Sequence, residues 1–175
     1  MALPASFANR LKLPVVGAPM FILSNPDLVI AQCKAGIVGS FPSLNARGEG
    51  VLEEWLTRLN EEITDHDAPY AVNLIVHKSN NRLEEDLALC VKYKVPLIIT
   101  SLGARPEVNE AIHSYGGMVL HDVIHNTFAK KAIDKGADGL IAVAAGAGGH
   151  AGQLSPFALV QEIRQWFDGP LALSG

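Results

Sequence analysis

Short apolar runs alternate along the chain with longer segments whose apolar positions recur every three or four residues. The runs are Pro14–Ala18, Gly36–Gly39, Tyr70–Val76, Pro96–Thr100, Gly117–His121, Gly139–Val143 and Pro170–Ser174. Most are rich in Val, Ile and Leu and bounded by Gly or Pro, the signature of strands covered on both faces. Between them the spacing predicts helices near Asn25–Ala35, Arg47–Ile63, Arg82–Tyr93, Pro106–Ser114, Thr127–Lys135 and Ser155–Phe167. Asn25-Pro26 and Ser155-Pro156 mark two helix starts. Each places a capping side chain before a proline, whose missing N–H costs a first turn nothing.

Strands alternating with helices over short connections predict a parallel sheet with right-handed crossovers. Both an open doubly wound sheet and a closed barrel satisfy that pattern, and the polar positions separate them. Met20, Asn73, Ser101, Asp122, His150 and Ser174 each fall at or just past the C-terminal end of a different predicted strand. In a barrel those ends converge on one mouth, whereas in an open sheet they are strung along an edge. The expected fold is therefore α/β, a parallel (βα)8 TIM-type barrel. The pattern supplies seven strands, and such barrels have eight in about 250 residues. Residues 1–175 are accordingly expected to form one incomplete barrel domain, truncated after the seventh strand. Unpaired strand edges would leave such an arc marginally stable as a monomer.

Composition narrows the partners. Hydrophobic residues make up 49% of the 175, enough for a large buried core. Eighteen acidic against 14 basic side chains give a formal charge of −4 and no basic footprint for nucleic acid. No apolar run reaches the roughly 18 residues of a membrane span, and Met1–Arg10 lacks the cationic start and apolar middle of a signal peptide. A cytoplasmic location is expected. Cys33 and Cys90 lie in helical patterns without metal spacing and are expected as small core residues. His121, Asp122 and His125 resemble a metal cluster on paper, but strand alternation sends His121 and Asp122 to opposite faces. Charged faces at Arg47–Glu62 and Arg82–Lys94 read as solvated helix exteriors.

The densest concentration of candidate chemistry is Ala144-Ala-Gly-Ala-Gly-Gly-His-Ala-Gly152, directly after the run Gly139–Val143. Glycines let backbone N–H groups approach a ligand closely, and His150 supplies one titratable side chain at its edge. Gly146-x-Gly148-x-x-Ala151 also fits a dinucleotide fingerprint, with Asp168 about 20 residues further on. The context argues against that assignment. There the glycines open the helix directly and the acidic residue ends the next strand, whereas here the helix begins at Ser155-Pro156 and Asp168 precedes its strand.

Val15-Val-Gly-Ala-Pro-Met20, Ala71-Val-Asn-Leu74, Ile99-Thr-Ser-Leu-Gly103, His121-Asp122, Ala147-Gly-Gly-His-Ala-Gly-Gln-Leu-Ser-Pro156 and Leu173-Ser-Gly175 together resemble the nitronate monooxygenase family. These enzymes, formerly called 2-nitropropane dioxygenases, are flavin proteins built on a βα barrel. The match spans nearly the whole chain but only the N-terminal half to two thirds of a family member. The resemblance implies FMN, with its ring on the backbone of Ala18, Pro19 and Met20. Asn73 and the Gly148-Gly149 loop would surround the ring, and Ser174 and Gly175 would begin a phosphate cup. Loops after the seventh and eighth strands are, independently, the usual phosphate site of such barrels. Some family members carry lysine where Asp122 stands. A carboxylate beside phosphate is unfavourable, so Asp122 is expected to face ribityl hydroxyls or another side chain.

The implied reaction oxidises alkyl nitronates, or nitroalkanes, with molecular oxygen to carbonyl compounds and nitrite. His150 is the implied base, needed for the α-proton of a nitroalkane and not for a preformed nitronate. Each assignment has a plainer counterpart. His150 would pin its own loop, Asn73 would be a buried amide satisfying backbone, Met20 would be core filler, and Ser101 is expected as a strand-end cap. Two rival functions stay open: an NADH-dependent FMN reductase of enoyl thioesters or quinones, and an inactive truncated product.

Overall fold

The computed structural model describes Phe7 and residues 9–175, so most of Met1–Arg10 lies outside the described residues. Among the described residues six parallel strands run in sequence order across one sheet: β1 (Gly39–Pro42), β2 (Tyr70–Ile75), β3 (Leu97–Ser101), β4 (Met118–Val123), β5 (Gly139–Val143) and β6 (Leu171–Ser174). From Pro26 onward the α-helices are α1 (Pro26–Ala35), α2 (Val51–Glu62), α3 (Leu83–Lys92), α4 (Pro106–His113), α5 (Asn126–Asp134) and α6 (Pro156–Arg164), with a 3-10 turn at Ser43–Asn45.

The first predicted strand, Pro14–Ala18, is reduced to a single parallel bridge between Val16 and Val38. Two backbone bonds hold it, Gly17 N–H to Val38 O and Val38 N–H to Val15 O. The Ser40 hydroxyl adds a bond to Gly17 O. Pro14 has no N–H to extend the ladder. The second run also shifts toward the C-terminus. Gly36 closes α1 in the left-handed region at φ 95°, which leaves Gly39-Ser-Phe-Pro42 to pair with β2. Of the two anticipated helix caps, Asn25 accepts from Leu28 N–H at 3.1 Å. Ser155 makes no side-chain cap, and α6 starts on Pro156 alone.

Alternation along the strands sorts the core into two sides. Phe41, Tyr70, Val72, Leu74, Ile98 and Val119 face outward against α1–α4, while Val123, Leu140 and Ala142 pack on α5 and α6. Val38, Ala71, Leu97, Ile99 and Leu120 form a separate inner cluster. The sheet is curled. Val16 before β1 and Ala172 on β6 line one inner cavity of about 210 Å³, although on a flat sheet their strands would stand about 29 Å apart. The architecture is a half-barrel of (βα) units of the TIM type, with every strand's C-terminal end on one rim.

Candidate active site at the C-terminal rim

Parallel register brings three polar side chains into one inward-facing row at this rim. Asn73 lies opposite Ile99 and Ile75 opposite Ser101 on the neighbouring strand. Thr100 lies opposite His121, which brings Ser101 level with Asp122. The Asn73 side-chain amide donates to Ile99 O at 3.0 Å and to the Ser101 hydroxyl at 2.8 Å. The Ser101 hydroxyl in turn donates to Asp122 Oδ2 at 2.6 Å. The row is directional: Asn73 gives to Ser101, and Ser101 gives to Asp122. Both amide hydrogens of Asn73 are engaged, so the side chain has only its acceptor Oδ1 left to offer. Asn73 does satisfy neighbouring backbone, as the plainer assignment foresaw, and it also anchors this row.

Ser101 is the functional candidate that sequence reasoning underrated. It is a buried hub rather than a strand-end cap, and only the cross-strand register exposes that role. Burial pushes the Asp122 carboxyl above its ordinary range, opposed by the Ser101 hydroxyl, the Leu102 backbone N–H and the His150 imidazole. Asp122 therefore faces other side chains, as one of its two anticipated roles required.

His121 points the other way, as strand alternation demands. Its Nδ1 shares a hydrogen bond of 2.5 Å with the Thr100 hydroxyl behind the sheet. It is 5% exposed, and burial, then Lys135, lowers its pKa from 6.5 to about 4.

The glycine loop is tight at its roots and open at its tip. A Cβ at Gly152 would lie 2.3 Å from Val143 O, and one at Gly175 would lie 2.2 Å from Ala147 N. Side chains are thus excluded where the loop leaves β5 and where it meets the end of β6. Ala144 N–H also bonds Ser174 O at 2.8 Å. Gly148 and Gly149 have no atom within 4 Å of such a Cβ, and Gly149 is left-handed at φ 71°. Their backbone is open to a ligand, and His150 beside them is exposed.

The Ala18–Met20 segment is fastened to the end of β1. Met20 N–H donates to Ser24 Oγ at 2.9 Å, and Asn45 Nδ2 donates to Met20 O at 2.9 Å. Both backbone polar groups of Met20, on which the flavin ring is expected to rest, are therefore already bonded, and its side chain is 40% exposed. Met20 is not core filler. Ala18 is exposed and Pro19 half-buried, and Pro42 lies opposite Asn73 in register, so this lip adjoins the polar row.

These residues fit a flavin ring and ribityl chain. Unhindered glycine backbone, an acceptor amide and a carboxyl group line one rim, and Ser174 and Gly175 close its far side. Among the described residues no three His, Cys, Asp or Glu side chains gather as a metal site, and no described helix is long and apolar enough to cross a membrane.

No protein-family profile and no curated protein sequence matches the chain. Solved structures share its fold. FabK from Thermotoga maritima superposes with a TM-score of 0.82 at 24% identity, over 93% of this chain and 50% of its own. Nitroalkane oxidase from Streptomyces ansochromogenes gives 0.84 at 20% identity, over 97% and 60%. The enoyl reductase domain of MlnA from the macrolactin biosynthesis cluster of Bacillus amyloliquefaciens gives 0.72 at 14%, over 94% and 48%. The chain spans about half the length of the solved structures it matches, and with them it shares the TIM-type barrel fold.

Proposed function

We propose that this chain forms the site-bearing part, residues 1–175, of an FMN-dependent nitronate monooxygenase, acting on alkyl nitronates or nitroalkanes with molecular oxygen. The observation that carries the proposal is the inward row Asn73–Ser101–Asp122 beside the His150 loop on one rim. The row fixes acceptors for a polyhydroxylated cofactor chain, and the open Gly148-Gly149 backbone supplies donors. FMN, when bound, supplies the redox chemistry between substrate and oxygen. Ala18, Pro19, Met20, Asn73, Asp122, Gly148, Gly149, Ser174 and Gly175 would hold it.

In this reading His150 takes the α-proton of a nitroalkane onto a ring nitrogen, and for a preformed nitronate it only positions the anion. Its exposed place on an uncrowded loop leaves it free to approach the substrate carbon. The test is oxygen uptake by the flavin-loaded protein with nitroethane and with ethyl nitronate. His150→Asn should abolish the first and largely spare the second; equal loss of both removes the base assignment.

The fold shared with an enoyl reductase domain favours a second reading, an NADH-dependent FMN reductase of enoyl thioesters or quinones. Anaerobic mixing separates the two. Bleaching of the flavin by NADH supports the reductase, and bleaching by nitronate supports the oxidase.

A further inference from the structure

We propose that Ile22 and Leu102 are apolar posts that set the alkyl-chain preference at the mouth of the site, an inference that rests on the nitronate-oxidising reading above. Both are strained. Ile22 has φ 67° and Leu102 φ 62°, a region where an L side chain crowds its own backbone and where a β-branched residue such as isoleucine is a true outlier. Lys94, at φ 49°, follows the end of α3, a position where left-handed residues are ordinary. Ile22 instead lies six residues past the Val16 bridge, Leu102 follows the end of β3, and burial does not explain them. Their side chains are 66% and 59% exposed, so glycine or asparagine would serve the backbone at less cost.

Neighbouring groups fix each strained residue. Ile22 N–H donates to Asn45 Oδ1 at 3.0 Å, while Asn45 Nδ2 also holds Met20 O and Ser24 O at 2.9 and 2.8 Å. Phe21, beside Ile22, lies under the Arg47 guanidinium, 5.3 Å from its ring centroid. Leu102 follows the hub Ser101, its N–H beside the Asp122 carboxyl group, and Gly103 with φ 132° follows it. Strain held by its surroundings in this way is characteristic of functional positions.

Three strand spacings separate the Val16 bridge from β3, about 14 Å along the curve. Asn73 of the polar row is on β2, between the strand that leads to Ile22 and the one that leads to Leu102, and Asp122 lies one strand beyond Leu102. A small molecule whose polar head engages the row therefore meets aliphatic surface at Leu102 and at the far lip. The occupant that suits this arrangement is the methylene chain of the substrate.

The test uses Ile22→Asn, Leu102→Asn and the double variant of the flavin-loaded chain, with ethyl to hexyl nitronates as substrates. Asparagine tolerates the left-handed region, so each variant should raise the Tm of the flavin-free chain by about 2–4 °C. The ratio of kcat/KM for hexyl over ethyl nitronate should fall about tenfold in the double variant. Ile22→Leu and Leu102→Met should keep the ratio. A raised Tm with an unchanged ratio assigns the posts to another chain segment or a second copy and overturns the proposal, as does a fall shared by the leucine and methionine variants. If the unmodified protein turns over no nitronate, the reaction reading fails by itself. The posts are then judged by calorimetric preference for hexanoate over acetate, which must drop in the double variant.

Discussion

Acidification should destabilise this fold through one residue, His121. The imidazole is 5% exposed, behind β4, with Thr100 as its hydrogen-bond partner, and burial holds its pKa near 4 rather than the ordinary 6.5. Between those values the unfolded chain binds a proton that the folded chain refuses, so stability rises with pH across that interval. The contribution is fully present above about pH 6.5 and is lost progressively as pH falls toward 4. At about 1.4 kcal/mol for each pH unit, about 3 kcal/mol rests on His121 staying neutral. Asp122 works in the opposite sense, because its raised pKa favours the protonated folded form. A comparison that leaves Asp122 in place removes it from the difference. The assay is urea unfolding at several values between pH 7 and 4.5, for the unmodified chain and for His121→Leu. Relative to His121→Leu, the unmodified chain should lose about 2–3 kcal/mol of stability over that range. Parallel pH profiles would refute the argument and show that another group controls acid sensitivity.

Two further outcomes follow from the geometry. Gly148→Ala should leave the urea midpoint unchanged and weaken FMN binding measured by fluorescence quenching, whereas Gly152→Ala, whose Cβ meets Val143 O at 2.3 Å, should cost about 1–3 kcal/mol of stability. Equal stability of the two variants would mean that the loop root is not tightly packed. The thiols are buried, with Cys33 pushed up to about 11 and Cys90 raised further by the same cause, so a thiol reagent at pH 8 should label neither until the chain unfolds; rapid labelling of native protein would contradict this.

Much of the architecture was legible because parallel strands buried on both faces leave an unmistakable trace. The runs at Tyr70, Gly139 and Pro170 became β2, β5 and β6 almost residue for residue. The trace fails where conformation depends on partners distant in sequence. Gly36-Ile-Val-Gly39 looks like a strand, yet Gly36 is spent on capping α1 and the pairing passes to a segment with only Phe41 as a large apolar side chain. Pro14–Ala18 has the composition of a strand, but forms only one bridge. At the site, His150, Asn73 and Asp122 could be singled out by residue type and position. Ser101 could not, because its role comes from lying level with Asp122 and beside Asn73, and register is not written in any single strand. The strain at Ile22 and Leu102 was equally hidden, since nothing in either residue type announces a left-handed backbone.

The uneven fastening of the rim has a consequence for how the proposed cofactor would be admitted. β2, β3 and β4 are laced by full ladders and by the Asn73–Ser101–Asp122 row, whereas the lip carrying Ala18–Met20 hangs from one bridge and a few side-chain tethers. Breathing of that lip would require no movement of the laced strands, so under the proposed function loading and release would loosen a single margin while the groups proposed to recognise the guest keep their places.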